Sequence, residues 1–364
     1  MNQRLKLLSE WLTEQDISMC FVTNPSNVFY YSGFLSDPHE RLLALLVFQQ
    51  EEPILVCPQM ETQQVKDAGW TYEIIGYNDT DNPWEFIATA IAKRKINIHS
   101  LAVEKDHLNV SRLELLQSLY PNASFIRAEE KLNTLRMLKD SKEIDILRQA
   151  AELADYGIEV GVSEIKEGKT EMEILATIEY ELKKKGIQQM SFQTMVLTGK
   201  KTASPHGNPS TDKIQQGDFI LFDLGVVIDG YCSDITRTVA LGNISDQQQQ
   251  IYETVLKAEL AALEASKPGV EVGKVDKTAR DIITSAGYGE YFTHRIGHGL
   301  GIEVHEYPSM SATNNMLLQP GMVYTIEPGI YIPEIGGVRI EDDVVITENG
   351  IETLTKFPKE LTII

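Results

Sequence analysis

An α/β domain followed by an α+β domain is the architecture this sequence predicts, and three observations lead there. The chain has 364 residues, more than one hydrophobic core usually organises, so two domains are expected. Up to about residue 125, short apolar runs alternate with helix-like stretches, the rhythm of an α/β unit. Beyond that point, long helical periodicities are interleaved with strand pairs that look antiparallel, which reads as α+β.

In the first half the candidate strands are ISMCFV (18–23), LLALLVF (42–48), PILVC (53–57), YEIIGY (72–77) and LAVEK (101–105), and the candidate helices are 59–68, 84–94 and 109–119. An amphipathic helix with Leu5, Leu8, Trp11 and Leu12 on one side opens the chain. The charged segment IRAEEKLNTLRMLKDSK (126–142) puts the junction near 128–136, and the domains are expected to span 1–130 and 131–364. A long periodic helix follows at 143–162. Further helices are predicted at 170–185, ending at Gly186 after three lysines, at 245–265 with Ser245 as N-cap, and at 274–286. Strands are expected at 190–197, 218–228, 231–240, 322–332 and 338–346. No solenoid-type repeat is present.

Composition excludes several classes. A 24% charged and 42% hydrophobic chain is that of an ordinary globular protein. The formal charge of −20, with no stretch that gathers Lys and Arg into a patch able to neutralise phosphates, argues against a nucleic-acid partner. No segment approaches the length of a membrane-spanning apolar run. Cys20, Cys57 and Cys232 are odd in number and far apart, as expected of free thiols in a reducing compartment. Because the N-terminus also lacks a signal peptide's apolar stretch and cleavage site, a cytoplasmic protein is expected.

The chemistry lies in acidic residues set where acids are disfavoured. FILFDLGVVIDGYCSDITRTVAL (219–241) reads as two strands joined at Asp229-Gly230, with Asp223 and Asp234 among large apolar neighbours. A hairpin about that turn projects both aspartates from the same face, and a buried carboxylate needs a cation or hydrogen bonds. The ordinary alternative is a turn-capping Asp plus an Asp paired with Arg237. MVYTIEPGIYI (322–332) and VRIEDDVVI (338–346) repeat the anomaly with Glu327 and Glu341, and HRIGHGLGIEVHEYP (294–308) adds His298 between two glycines and His305. Four carboxylates and one imidazole form a mixed oxygen and nitrogen set, suited to two divalent ions such as Mn, Co, Zn or Fe(II).

The motifs FDLGVVIDGYCSDITRT, GHGLGIEVHE, TIEPGIY and GVRIEDD resemble those of the pita-bread metallopeptidases: methionine aminopeptidases, aminopeptidase P, prolidases and the metal-free creatinases. Ligand spacings of 11, 29 and 14 residues look right for that group. The resemblance covers about 135–364, and the first half is similar to the N-terminal domain of prolidase, aminopeptidase P and creatinase, which methionine aminopeptidases lack. It therefore implies an α/β creatinase-like domain followed by an α+β pita-bread domain. Creatinases do not keep five metal ligands, so a metal-dependent hydrolase of X-Pro bonds is implied. The segment SDPHER (36–41) and Arg295 ahead of GHG resemble bacterial prolidases, Xaa-Pro dipeptidases; aminopeptidase P on longer peptides is the alternative, and a non-catalytic binding protein the alternative from another class. Leu224 and Val226 depart from the usual pattern without touching a ligand.

By that resemblance Asp223 binds one metal ion, Asp234 and Glu341 bridge two, and His298 and Glu327 complete the second site, with manganese first and cobalt or zinc as alternatives. Paired ions supply an activated water and polarise the scissile carbonyl. Glu327 is the candidate to accept the water's proton while remaining a ligand, and His305 the candidate to steady the carbonyl or oxyanion. His206, in SPHGNP, matches a family histidine near the substrate; taken alone it would be an ordinary loop residue. Arg339, two residues before Glu341 and thus on the same strand face, is expected to orient or neutralise the carboxylates, with substrate binding as the lesser role. Arg295 is the candidate for a dipeptide's free carboxylate, with a surface ion pair as its alternative. Asp37, His39, Glu40 and Arg41 are either a solvated loop or one that reaches an active site across a dimer and limits substrates to dipeptides. A homodimer is implied by the resemblance.

Overall fold

The apolar runs of the first half do form strands. The structure, a computed structural model, describes residues 2–364, and the chain divides into two units, Met1–Arg136 and Met137–Ile364. In the first, β1 (Met19–Val22), β2 (Ala44–Phe48), β3 (Ile54–Pro58), β4 (Glu73–Tyr77), β5 (Ser100–Val103) and β6 (Ser124–Arg127) build one sheet in the order β4-β3-β2-β1-β5-β6. The β1–β2 and β2–β3 pairs are antiparallel and the rest parallel. Around it run α1 (Gln3–Glu14), α2 (Pro25–Ser32), α3 (Thr62–Asp67), α4 (Pro83–Arg94), α5 (Val110–Leu119) and α6 (Glu129–Met137).

Two elements here had escaped the apolar pattern. Strand β6 is at most half-buried, so it lacks a hydrophobic signature. Helix α2 carries its signal at its ends instead: Asn24 caps the N-terminus, Pro25 takes the first position, and Gly33 closes it at φ 77°. The expected break after residue 130 falls inside α6. Tyr30 donates to the Leu135 carbonyl at 2.7 Å and Arg136 to Asn27 at 2.9 Å, so the helix belongs with the first unit and the boundary moves to Arg136.

The second unit opens with α7 (Ser141–Ser163) and α8 (Glu171–Lys184), then β7 (Met195–Thr198), β8 (Phe219–Leu224), β9 (Val227–Ile228), β10 (Tyr231–Cys232) and β11 (Ile235–Ala240). It continues through α9 (Asp246–Ala265), with Ser245 as its N-cap, and α10 (Val272–Ser285). It ends in β12 (Gly297–Gly299), β13 (Glu306–Met310), β14 (Val323–Ile326), β15 (Gly329–Ile332), β16 (Gly336–Arg339), β17 (Asp342–Thr347) and β18 (Gly350–Thr353). The main sheets run β11-β8-β7 and β13-β12-β14-β17-β18; β9 with β10 and β15 with β16 form two-stranded ribbons. One buried cluster joins α7 and α8 to β8 and β11, with Ile158, Ile178, Phe222 and Val239 among its members. Another joins α9 and α10 to β14 and β17 through Val255, Ala279, Tyr324 and Val344.

Four of the five strands expected in this unit are divided, and the divisions coincide with the acidic residues. Strand 218–228 breaks after Leu224, one residue past Asp223; 231–240 breaks at Ser233-Asp234; 322–332 breaks at Glu327-Pro328; and 338–346 breaks at Ile340-Glu341. At each break the chain passes from a sheet into a ribbon or back. Asp234, Glu327 and Glu341 thus leave the ladder in which an acid is disfavoured, while Asp223 stays in β8 one residue before the break. The predicted strand at 190–197 begins only at Met195. Among the described residues, no helix is long and apolar enough to cross a membrane.

Candidate metal centre

The hairpin through Asp229 and Gly230 turns with positive φ at both residues, 45° and 82°, the geometry that suits a right-twisted ribbon. Its register pairs Ile228 with Tyr231 and, farther along, Asp223 with Thr236. Asp234 lies two residues from Asp223's partner, so both aspartates project to the same side. From the other half of the unit, β12 supplies His298 at a bulge against β13. A Cβ on Gly297 would lie 1.9 Å from the Thr325 carbonyl oxygen, and one on Gly299 would lie 2.1 Å from that of Tyr307. Only glycines let the histidine's strand approach its neighbours so closely.

All five predicted ligands, Asp223, Asp234, His298, Glu327 and Glu341, line one cavity of about 380 Å³, together with His206, His294, Arg295, His305 and Arg339. One ligand atom each of Asp234, His298 and Glu341 lie within 4.8 Å of one another. His298 Nε2 is 3.7 Å from Asp234 Oδ2 and 3.6 Å from Glu327 Oε1. Asp223 Oδ1 and Asp234 Oδ1 are buried with no hydrogen-bond partner among the described residues. Orphaned carboxylate oxygens are costly unless something cationic meets them, so this donor set fits divalent ions.

Electrostatics point the same way. Burial, and after it repulsion from Glu341, Asp223, Asp343 and Glu327, pushes the Asp234 carboxyl well above the usual carboxylate range. Glu341 is pushed up likewise, by burial and then by Glu327 and Asp223. Burial raises Glu327 to about 7 despite the opposing charge of Arg339. Burial and His305 together lower His298 to about 3, which keeps its imidazole neutral and its lone pair available to a cation.

The polar residues around the ligands sort into distinct jobs. Thr236 donates to Glu341 Oε2 at 2.5 Å and accepts from Arg339 Nε at 3.0 Å. The Arg339 guanidinium also pairs with Asp223 and reaches the Tyr331 hydroxyl at 3.1 Å. Its donors are therefore engaged by the protein. Arg237, weighed as a partner for an aspartate, pairs with Asp342 at 2.7 Å and holds the Glu341 and Thr236 carbonyls. Neither Asp223 nor Asp234 is neutralised by it. Asp343 accepts from the Asp234 backbone N–H at 2.9 Å.

Arg295 donates to Ser309 at 3.0 Å and faces the cavity. The His305 ring lies 4.0 Å from that of His298, centroid to centroid, and burial followed by Arg295 and His206 lowers its pKa. In the first unit, Arg41 pairs with Asp79 and Glu40, and Asp37 accepts from the His39 backbone in an exposed loop.

Sequence reasoning missed His294, four residues before His298, whose Nε2 lies 2.8 Å from the Tyr331 hydroxyl. Burial lowers it to about 4. Phe192 and Met195 form an apolar part of the wall. His294 stood in a quoted motif without any distinguishing spacing; Thr236 was legible from the hairpin register, which sets it opposite Asp223.

Comparison with known proteins agrees with this geometry. Residues 145–348 match Metallopeptidase family M24, and residues 4–138 match the Creatinase/Prolidase N-terminal domain. A protein of Bacillus subtilis provisionally named a dipeptidase is 60% identical over 361 residues, 99% of each chain. The Xaa-Pro dipeptidase of Lactobacillus helveticus is 44% identical, covering 99% of this chain and 98% of its own. Among solved structures, the prolidase from Pyrococcus horikoshii superposes with a TM-score of 0.92 at 37% identity, over 99% of this chain and 100% of that one. The chain belongs to metallopeptidase family M24, with a creatinase-like α/β domain ahead of the pita-bread domain. Its class is therefore that of a metal-dependent peptide hydrolase.

Proposed function

We propose that this enzyme is an Xaa-Pro dipeptidase that works with two divalent ions per subunit. The observation that carries the reading is the convergence of four carboxylates and one neutral imidazole on one cavity, with buried oxygens of Asp223 and Asp234 left without hydrogen bonds. Asp223, Asp234, His298, Glu327 and Glu341 would hold the ions. When bound, such a pair activates water and polarises a carbonyl. Manganese is the first choice for so oxygen-rich a set, with cobalt and zinc behind it.

The chain's own groups then do the following. Glu327 accepts a proton from the attacking water and passes it to the proline nitrogen as the C–N bond breaks. His305 and His206 donate to the scissile carbonyl oxygen as charge collects there. Arg295 receives the carboxylate of the dipeptide in two-point contact. Arg339 shields Asp223 and is already committed to that task. Because proline lacks an N–H and fixes its ring, a dedicated site for X-Pro bonds is chemically sensible. A homodimer in the cytoplasm completes the reading. The buried free thiols support a reducing compartment.

The test is to remove metal with a chelator, restore Mn, Co or Zn separately, and follow proline release from Ala-Pro beside first-bond cleavage of Ala-Pro-Ala. Metal-dependent cleavage of Ala-Pro alone is expected. First-bond cleavage of the tripeptide would move the reading to aminopeptidase P, and inertness of the folded, metal-loaded protein toward both would leave a binding protein.

A further inference from the structure

His206 is exposed, on a loop between β7 and β8, and yet it lines the cavity. A loop residue can act at a reaction centre only if its backbone is held in place. The holding group is Glu171, the first residue of α8, with no solvent exposure. Its Oε1 accepts the Thr198 N–H at 2.8 Å, before the loop. Its Oε2 accepts the Ser210 N–H at 2.7 Å and the Ser210 hydroxyl at 3.2 Å, past His206. Lys201 reaches the same oxygen at 2.6 Å while also pairing with Asp212 at 2.6 Å and donating to Ser210 at 2.7 Å. One carboxylate therefore ties together both ends of the segment that carries the histidine.

Only a carboxylate can do this. Each of these neighbours donates to it, and an amide in its place would set an NH₂ group against an N–H or an ammonium. Helix capping does not account for Glu171 either. The α8 N-terminus is closed by a reciprocal box in which Thr170 accepts from Glu173 N–H and Glu173 accepts from Thr170 N–H. Between its ends the loop is fastened toward the centre itself. Thr202 accepts the Gly337 N–H at 2.7 Å, and the Pro205 carbonyl accepts from Arg339 at 3.4 Å.

We propose that Glu171 is a positioning residue for His206: it clamps loop 199–210 so that the imidazole meets the scissile carbonyl oxygen. The proposal rests on the reading of His206 as a substrate-facing donor. The experiment measures kcat and KM for Ala-Pro with the manganese-loaded full chain as wild type, Glu171→Gln, His206→Ala and the double variant. Manganese affinity is measured by chelator competition, and hydrogen exchange is followed across 198–212. E171Q is expected to cut kcat/KM about tenfold, to speed exchange in the loop, and to leave manganese affinity within about twofold. In the H206A background the further loss from E171Q should shrink to about twofold or less, because both variants remove one function.

A full loss from E171Q persisting without His206, or a collapse of manganese affinity, would overturn the proposal and leave Glu171 a general structural residue. If H206A alone leaves kcat/KM unchanged, the reading of His206 itself fails and the proposal falls with it, a result visible in the single variant. Should E171Q not fold, Lys201→Met removes the bridging ammonium from a partly exposed position; it should show the same dependence on His206 with a loss of about threefold, and additivity there overturns the proposal equally.

Discussion

At the scale of single residues, the two arginines of the site are opposites. Arg339 is buried, with Asp223, Thr236 and Tyr331 as partners, whereas Arg295 faces the cavity with Ser309 as its polar contact. The dipeptide carboxylate should therefore depend on Arg295. Arg295→Met is expected to raise KM for Ala-Pro by about tenfold or more while leaving cleavage of Ala-Pro-amide, which lacks that carboxylate, nearly unchanged. Equal losses on both substrates would place Arg295 elsewhere in the reaction. Glu341→Gln replaces one carboxylate oxygen of the proposed ligand set with an amide nitrogen and should reduce both manganese retention and kcat by at least about a hundredfold, read by metal analysis and steady-state kinetics.

At the scale of elements, broken strands are the device that makes the centre. A carboxylate within a continuous ladder points from one sheet face, but at a break the backbone turns and side chains from both hairpins converge. Close approach of β12 to β14 is part of the same device. Gly297→Ala is expected to displace His298, lower the thermal midpoint by roughly 5 °C or more and weaken metal retention together. Ser245→Ala, which removes an N-cap on α9, should cost about 1 kcal/mol and leave metal retention alone. A Gly297→Ala protein that melts and binds manganese like the wild type would sink the packing argument. The position of these breaks was not legible from periodicity, since the flanking runs are apolar on both sides. Pro328, directly after Glu327, and Gly225, directly after Leu224, were local signals.

For the molecule as a whole, the cluster makes stability depend jointly on metal and pH. Glu327 goes from 4.5 to about 7 on folding, and Asp234 and Glu341 shift in the same direction. The folded state thus holds protons that the unfolded chain has released between these values. The stabilisation is fully present below 4.5 and is lost as pH rises through about 7. His298 and His294, both lowered by burial, oppose this slope below 6.5, where the unfolded chain protonates them, so chelated protein should lose thermal stability above about pH 6.5 and up to about pH 8, and manganese should abolish most of that slope by replacing protons with cations. Identical slopes with and without metal, in differential scanning calorimetry, would mean that the carboxylates are not coupled as described. The overall charge of −20 acts in both samples and cancels in the comparison.

The sequence alone marked out the two-domain plan, the hairpin about Asp229-Gly230 and the five candidate ligands, because each leaves a local mark: periodicity, a positive-φ turn, or an acid or histidine set among apolar residues and glycines. Tertiary structure decided what those marks do together. It pairs Arg339 with Asp223 and gives Arg237 to Asp342, over chain separations of 116 and 105 residues that no spacing rule spans. It brings His294 to the wall of the cavity and anchors the His206 loop on Glu171, because buried polar groups must find partners wherever the fold delivers them.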